Sequence, residues 1–340
     1  MMQHRVISYN VLSSHLADPE YFSSCNAEYL SADFRFTQLC ILLDREIAEK
    51  SIICLQEVSA PWLARLHPFF TQYHYHVVSS NYGDKSSGYM GVVIAVPLES
   101  YQIINADIIR IADIKSVITG SSKQYPQHNV WTALMDCIRF ALGRKSVEED
   151  PWKSATRQPH TMITLQVRCL LSHDNFCVAT YHMPCEYQHP QVMVIHAALA
   201  AQHLQTTAAP LPYVLAGDFN ILPESSMYRL LTEGSLESSC PDRPPPLDGD
   251  SWEVNVDPMR SAYAIAQGRE PDFTNYAKVR NEEPFIGTLD YIFLSKEWEI
   301  IRVEPLPTVG SVNGPLPNRT QPSDHILIAA QISLLRKPRN

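Results

Sequence analysis

The feature that most constrains this chain is a set of short apolar runs that end abruptly in polar residues. Val6-Ile7 leads into Ser8-Tyr9-Asn10, Ile52-Ile53-Cys54-Leu55 into Gln56-Glu57, and Tyr213-Val214-Leu215-Ala216 into Gly217-Asp218-Phe219-Asn220. A fourth motif, Ser323-Asp324-His325, instead precedes the run Ile326-Leu327-Ile328. Runs of this length, bounded by turn formers, read as buried strands. Strand ends are where layered α/β proteins gather polar side chains from distant parts of the sequence. One motif alone carries little; four in this arrangement require a fold that brings widely separated strand ends to a common edge.

The rest of the chain supplies the layers. Residues 34–50 place Phe36, Leu39, Cys40, Leu43 and Ile47 at helical spacing opposite Asp44, Arg45, Glu46 and Glu49. Residues 51–55 read as a strand and 61–70 as a helix, with Pro61 suited to the first turn. Strands at 75–80 and 91–96 flank a Gly/Ser-bearing loop. This alternation of strand and helix is the pattern of an α/β layered fold. Residues 105–158 depart from it: Gly120-Ser121-Ser122 and Pro126 break the periodicity, 131–142 has an amphipathic helical pattern, and Glu148-Glu149-Asp150-Pro151 is a charged run. That stretch reads as an insertion or elaborated loop. Regular elements resume with strands at 162–168 and 175–181 spaced as a hairpin, a helix at 190–205, a strand at 213–216 and a helix at 225–233. A proline-rich loop at 241–252 and strands at 289–294 and 326–334 complete a single domain spanning 1–340.

Composition excludes some functions. The formal charge of −9 argues against coating nucleic acid through a broad basic surface, which requires many Lys and Arg to displace counterions. It is compatible with gripping a few phosphates locally, especially where a bound cation offsets the acids. The eight cysteines form no C-x-x-C pair, and reduced thiols in an intracellular compartment are expected. The first residues run straight into a strand, leaving no room for a secretory leader, and no apolar stretch is long enough to span a membrane. A soluble protein of the cytoplasm, or of the nucleus, is expected.

The motifs themselves suit phosphodiester hydrolysis. That reaction needs a divalent cation to offset phosphate charge, an oriented water and donors aimed at the transition state. Magnesium takes oxygen ligands, usually one or two carboxylates with water and phosphate. Glu57 and Asp218 fit that need, and Asn10 and Asn220 offer amide oxygens or protons. His182 and His325 are candidate donors to the phosphate, and Asp290 is a candidate to orient an imidazole.

Taken together, Tyr9-Asn10-Val11-Leu12, Leu55-Gln56-Glu57-Val58, Gly217-Asp218-Phe219-Asn220, Leu289-Asp290-Tyr291-Ile292-Phe293 and Pro322-Ser323-Asp324-His325 resemble the endonuclease/exonuclease/phosphatase superfamily. The resemblance covers about residues 5–335. Tyr181-His182-Met183, the string from Gly217 to Tyr228, and Phe273-Thr274-Asn275-Tyr276 are most similar to the branch of carbon catabolite repressor-type deadenylases, nocturnin and the Angel proteins. The resemblance implies a DNase I-like, four-layer α/β sandwich, two mixed sheets packed face to face and flanked by helices. It also implies hydrolysis dependent on Mg²⁺, or Mn²⁺ in its place, most similar to a 3′→5′ exoribonuclease on single-stranded RNA.

By the same resemblance, Glu57 binds the metal, Asn10 helps hold metal and phosphate, and Asp324 lies near the metal. Asp218 and Asn220 orient or deprotonate the attacking water. His182 and His325 contact the phosphate, with Asp290 supporting His325. Phe285 falls where deadenylase-type members stack an aromatic ring on a base, a contact worth about 1–3 kcal/mol. Two positions depart from the pattern. Tyr187 stands where strongly adenine-preferring deadenylases carry proline, and His160 where related sequences often carry Asn. Rival functions are a nucleotide or small-molecule phosphatase, an endonuclease on DNA or abasic sites, and a non-catalytic RNA-binding adaptor. Protein partners are not legible.

Each residue also has a plainer reading. Asp218 and Asn220 alone would be a turn, and Glu57 alone a surface or capping carboxylate. His182 alone would be a hydrogen-bonded structural histidine. His67, His74, His76, His173, His189, His196 and His203 read as surface or packing residues, and Trp131, Trp152 and Trp252 as anchors of loops to the core.

Overall fold

The computed structural model describes residues 2–114, 150–247 and 252–335. The amphipathic pattern at 131–142, Gly120-Ser121-Ser122, Pro126 and Trp131 lie outside the described residues.

Alternation along the strands builds the layers. In β1 (Gln3–Asn10), Val6 joins one apolar cluster while Ile7 and Tyr9 join another; in β2 (Ile52–Val58), Ile52 and Cys54 divide from Ile53 and Leu55 in the same way. Successive side chains of a strand face opposite sides, so both strands are covered on both faces. They pair in parallel, Val6 opposite Ile52 and Asn10 opposite Gln56. The remaining strands are β3 (Tyr75–Asn81), β4 (Gly91–Pro97), β5 (Tyr101–Arg110), β6 (Thr161–Cys169), β7 (Asn175–His182), β8 (Tyr213–Asp218), β9 (Arg260–Ser261), β10 (Asn275–Ala277), β11 (Phe285–Gly287), β12 (Asp290–Leu294), β13 (Trp298–Val303) and β14 (Ile328–Leu334).

These strands form two mixed sheets of six, in the orders β13-β14-β1-β2-β4-β3 and β5-β6-β7-β8-β12-β9, and a small β10-β11 pair. Val6, Ile94, Leu165, Val178, Val214 and Ile292 belong to the cluster that fills the space between the sheets. The helices Ala32–Ala48 and Ala60–Thr71 cover the outside of the first sheet through Phe36, Leu39, Leu43, Trp62 and Leu66. The helix Pro190–Ala208 covers the outside of the second, burying a run from Val192 to Ala201 rich in alanine. Its apolar residues lie all round because the helices Pro151–Arg157 and Ser226–Glu233 also pack on it. This is the four-layer sandwich expected from the sequence.

One topological detail places the site. Each sheet has a parallel pair at its centre, β1-β2 and β7-β8. Parallel neighbours require a crossover, supplied by Ala32–Ala48 in one case and Pro190–Ala208 in the other. The carboxyl ends of all four strands therefore arrive at one edge. β12 runs antiparallel to β8, which brings its first residue, Asp290, opposite the last residue of β8, Asp218.

The stretch expected to be an insertion begins and ends inside the fold. Tyr101–Arg110 is a ten-residue strand and Pro151–Arg157 a helix, so residues 105–110 and 151–157 of that stretch belong to regular elements of the sandwich. Five residues of β5 are at least partly exposed beyond its midpoint, and its polar and apolar positions alternate irregularly through a bulge between Ile103 and Asn105. Such an edge strand carries a weak periodic signal. Asp150, read as part of a charged run, accepts a hydrogen bond from the Trp152 amide at 3.0 Å and caps the helix, with Pro151 in its first turn. Trp152 donates from Nε1 to the Pro245 carbonyl and meets Trp252 edge-on. Among the described residues, no helix is long and apolar enough to cross a membrane.

The interior also contains histidines with no access to water. His4 hydrogen-bonds Tyr101 at 2.9 Å among Phe176 and Trp298, and His196 sits between the Tyr181 hydroxyl and the Ala155 carbonyl. Burial pushes each of them down to about 4 from an ordinary 6.5. An unfolded chain therefore takes up these protons as pH falls below 6.5, while the folded chain resists until about 4. Stability present above that range must be lost as pH drops through it. For His4 alone, linkage gives a loss of about 2 kcal/mol between pH 7 and pH 5. Urea unfolding at the two pH values should show His4→Phe losing less stability than the wild type by about that amount; equal losses would contradict a neutral buried His4.

Candidate active site

Where the strands reach the shared edge, their inward-facing positions change from apolar to polar. The sequence runs Val6, Ser8, Asn10 on β1; Ile52, Cys54, Gln56 on β2; Val178, Thr180, His182 on β7; and Val214, Ala216, Asp218 on β8. The first polar rung is a bridge between sheets: Ser8 donates to Gln56 Oε1 at 3.3 Å, and Gln56 Nε2 donates to Thr180 Oγ1 at 3.0 Å. The second rung is the cluster itself. Asn10 Nδ2 lies 2.9 Å from Asp218 Oδ2 in the opposite sheet and 3.0 Å from Glu57 Oε1 on the neighbouring strand.

Glu57 reaches that cluster through a local irregularity. Regular alternation after Cys54 and Gln56 would turn Glu57 outward, with Leu55. Instead the β2-β4 register slips between Leu55 and Val58, and Glu57 takes a left-handed φ of 58°. A bulge of this kind re-aims a side chain. Glu57 Oε2 then accepts from the Ser13 amide at 3.1 Å. Gly217 has a different role: a Cβ there would meet the Tyr181 carbonyl oxygen at 1.9 Å, so only glycine lets β7 and β8 approach next to His182 and Asp218.

Two histidines flank Asp218. His182 Nε2 lies 3.5 Å and His325 Nε2 3.6 Å from the same oxygen, Asp218 Oδ2. His325 Nδ1 is 2.7 Å from Asp290 Oδ2, and the Thr274 hydroxyl donates to that oxygen at 2.6 Å. Burial by itself would lower the His325 imidazole; Asp290 and then Asp218 outweigh it and hold the ring well above its ordinary range. Burial likewise pushes Asp290 up to about 6. The short Nδ1–Oδ2 contact thus pairs an imidazole that favours its protonated form with the Asp290 carboxylate. Asp218 Oδ1 accepts from the Asn220 amide at 2.9 Å, and Asn220, at φ 53°, donates from Nδ2 to the Met183 carbonyl. The motif thus forms a side-chain-stabilised turn that also holds the Asp218 carboxylate at the cluster.

The structure therefore joins Asn10, Glu57, His182, Asp218, Asn220, Asp290 and His325 in one network. The other expected residues lie differently. Asp324 takes a hydrogen bond from Asn275 at 3.3 Å, and burial raises its carboxyl, opposed by His325 and reinforced by Glu57. Among the described residues, the side chains whose potential metal-ligating atoms lie within 4.8 Å of one another are Glu57, His182 and Asp218, and Asp218, Asp290 and His325; Asp324 is in neither group. The Asn10 amide oxygen accepts from the Leu12 amide at 2.9 Å, so its nitrogen, not its oxygen, faces the carboxylates. Phe285 is 42% exposed on β11 and Tyr187 60% exposed after β7.

Sequence reasoning missed three supports. The Tyr82 hydroxyl lies 2.6 Å from His182 Nδ1. Thr274 holds Asp290, and its signal was present in the quoted Phe273–Tyr276 motif. Arg35 is fully buried behind the cluster, where its guanidinium donates to the carbonyls of Val11, Leu12, Ser13 and Pro322. Burial pushes Arg35 down to about 10, opposed by Tyr9, Asp324 and Glu57. Its signal was a charge at a position in phase with Leu39 and Leu43 on the buried helix face.

Comparison with known proteins bears on the family and the fold. The Endonuclease/Exonuclease/phosphatase family matches residues 7–325. The 2′,5′-phosphodiesterase 12 of Rattus norvegicus is 25% identical over 353 residues, covering 96% of this chain and 51% of the relative. The Carbon catabolite repressor protein 4 homolog 4 of Arabidopsis thaliana is 35% identical over 129 residues, 36% of this chain and 27% of the relative. The chain spans about half the length of the first of these and of its human and mouse counterparts. Among solved structures, ANGEL2, described as a 2′,3′-cyclic phosphatase, superposes with a TM-score of 0.70 at 18% identity, covering 98% of this chain and 96% of that one. The human nocturnin catalytic domain does so with a TM-score of 0.61 at 20% identity, covering 98% and 95%. These structural likenesses establish the fold.

Replacing Asp290 with Asn keeps the shape of the side chain and removes its charge. The His325 imidazole of the wild type should stay protonated well above its ordinary range, and in Asp290→Asn its titration should fall by about 1–3 units. Nuclear magnetic resonance of the histidine rings reads this directly; an unchanged titration would rule out Asp290 as the group that holds the cation.

Proposed function

We propose that this chain, which belongs to the endonuclease/exonuclease/phosphatase family, is a phosphodiester hydrolase acting as a 3′→5′ exoribonuclease on single-stranded RNA. The observation that carries the reading is the meeting of Asn10, His182 and His325 on one oxygen of Asp218, with Glu57 beside it. A carboxylate flanked by two imidazoles can accept a proton from water while the rings donate to phosphate oxygens. The reading treats residues 1–340 as a single catalytic domain.

The donor set fits a divalent cation. Glu57 and Asp218 offer carboxylate oxygens, Asn10 Nδ2 is bonded to both, Asp324 is near enough to Glu57 to feel its charge, and hard oxygen donors suit Mg²⁺ or Mn²⁺. A bound ion of this type would offset negative charge on the phosphate and the leaving oxygen. The chain's own groups divide the remaining work. Asp218, with Asn220 fixing its other oxygen, orients the attacking water and takes its proton as the bond to phosphorus forms. His325, cationic through Asp290, and His182 donate to the phosphoryl oxygens. Phe285, Tyr187 and the β10-β11 pair are assigned to the nucleotide, Phe285 by stacking on a base.

A second reading concerns the linkage. The relatives aligned over 96% of this chain bear the name 2′,5′-phosphodiesterase 12, and Tyr187 replaces the proline that the sequence resemblance associates with adenine-preferring deadenylases. A 2′,5′-linked RNA substrate is therefore the alternative, with a small nucleotide next. End-labelled 3′,5′ RNA with an A tail, 2′,5′-linked oligoadenylate and free nucleotides, each with and without chelator, separate the three. Glu57→Ala should lower hydrolysis of the preferred substrate by at least about 10²–10³-fold with the fold intact by circular dichroism. Undiminished turnover, or turnover indifferent to chelator, would refute the assigned role of Glu57.

A further inference from the structure

The two histidines beside Asp218 are backed by chemically different groups. His325 Nδ1 faces a carboxylate, which only accepts when ionised, so that nitrogen must carry hydrogen. His182 Nδ1 faces the hydroxyl of Tyr82 at 2.6 Å, and a hydroxyl can donate or accept. The surroundings of Tyr82 decide which. Tyr82 is 7% exposed, and among the described residues its hydroxyl has no other partner within hydrogen-bonding distance. If it accepted from His182, its own hydrogen would be buried and unpaired, which is the costly arrangement. The phenol therefore donates, and Nδ1 of His182 is the acceptor. Burial, and then the charges of Glu57 and Asp218, raise the phenol well above its ordinary range, so it keeps that hydrogen.

We propose that Tyr82 is a positioning residue that locks His182 in the tautomer protonated on Nε2, making this imidazole a donor toward the reacting phosphate and removing it from the metal-ligand set. An Nε2 carrying hydrogen has no free lone pair with which to bind a cation. Glu57 and Asp218 are then left as the oxygen donors of the group in which His182 also lies.

Tyr82 is itself held in place. Its amide donates to the Met90 carbonyl at 3.0 Å, closing the base of the loop between β3 and β4. Its ring packs on His160, centroids 4.8 Å apart, and the His160 ring meets His182 edge-on at 5.7 Å. The same loop is tied to the segment after Asn10, because Ser13 donates from its hydroxyl to the Ser87 carbonyl at 2.7 Å. A residue outside every motif of the sequence thus connects a surface loop to the orientation of an imidazole at the strand edge. It also gives the departure at His160 a place, as the ring against which Tyr82 packs.

The catalytic consequence rests on the hydrolytic reading above, but the tautomer does not. The test is nitrogen-15 resonance of labelled histidines in the full chain, without substrate or metal, together with steady-state kinetics. Wild-type His182 should show an unprotonated Nδ1 and a protonated Nε2. Tyr82→Phe, which removes one oxygen and keeps the ring on His160, should populate both tautomers and lower kcat on the order of 10- to 100-fold, with KM nearly unchanged. A proton on Nδ1 in the wild type overturns the inference, and this decides the matter even if the variant fails to fold. An unchanged tautomer in the variant overturns it whatever happens to turnover. A shifted tautomer in a protein that hydrolyses nothing upholds the inference and rejects the hydrolytic reading instead.

Discussion

The arrangement depends on one side chain that reaches across the sandwich. Asn10 sits on the first sheet, and its amide nitrogen bonds a carboxylate of its own sheet, Glu57, and one of the facing sheet, Asp218. Two carboxylates brought this close would repel, and a neutral amide offering two protons is the least disruptive way to hold them without a cation. The same residue is anchored on its other side, where its oxygen takes the Leu12 amide and its carbonyl takes the Ser323 hydroxyl. Asn10 therefore connects the first, second and last motifs of the chain to the third. Any shift of one sheet against the other is felt there first.

Behind this bridge lies an unusual source of positive charge. Among the described residues, Arg35 has no acidic side chain hydrogen-bonded to its guanidinium; the carbonyls of residues 11–13 and 322 solvate it. A buried cation is tolerable only when its donors are satisfied, and here they are satisfied by the two loops that carry Asn10 and Asp324. The cation binds those loops together and also offsets some of the charge of Glu57 and Asp324. Charge gathered at the edge is thus partly compensated before any ion arrives. The compensation is backbone-bound and cannot be displaced by substrate. By contrast, the bidentate pair of Arg5 with Glu46, at the opposite end of β1, ties the crossover helix to the sheet.

Much of this was legible in the sequence because the strands here are buried on both faces. Continuous apolar runs ending in polar residues signalled β1, β2 and β8, and helical spacing from Phe36 to Ile47 signalled the crossover. What was not legible follows from physics that a linear pattern does not carry. β5, an edge strand with a bulge and exposed positions, has too little apolar contrast to stand out. Glu57 was recognised by its motif, yet strict alternation would have turned it away; only the slipped register shows how it reaches Asn10. Arg35 carries no legible signal of its role because its solvation by carbonyls of two distant segments is a tertiary fact. Tyr82 belongs to no motif, and its partner lies a hundred residues away. Asp324, which the motif pattern puts near the metal, hydrogen-bonds Asn275 and lies close enough to Glu57 for that charge to raise its carboxyl.

The central claim is that motifs from the whole length of the chain converge to hold divalent metal against a phosphate linkage. Diffraction from crystals soaked in Mn²⁺, recorded at its absorption edge, addresses that claim without relying on any substrate. The account predicts an anomalous peak at bonding distance, about 2.0–2.3 Å, from a Glu57 carboxylate oxygen, on the side facing Asp218. A peak elsewhere on the molecule, or none at a saturating Mn²⁺ concentration, would contradict it.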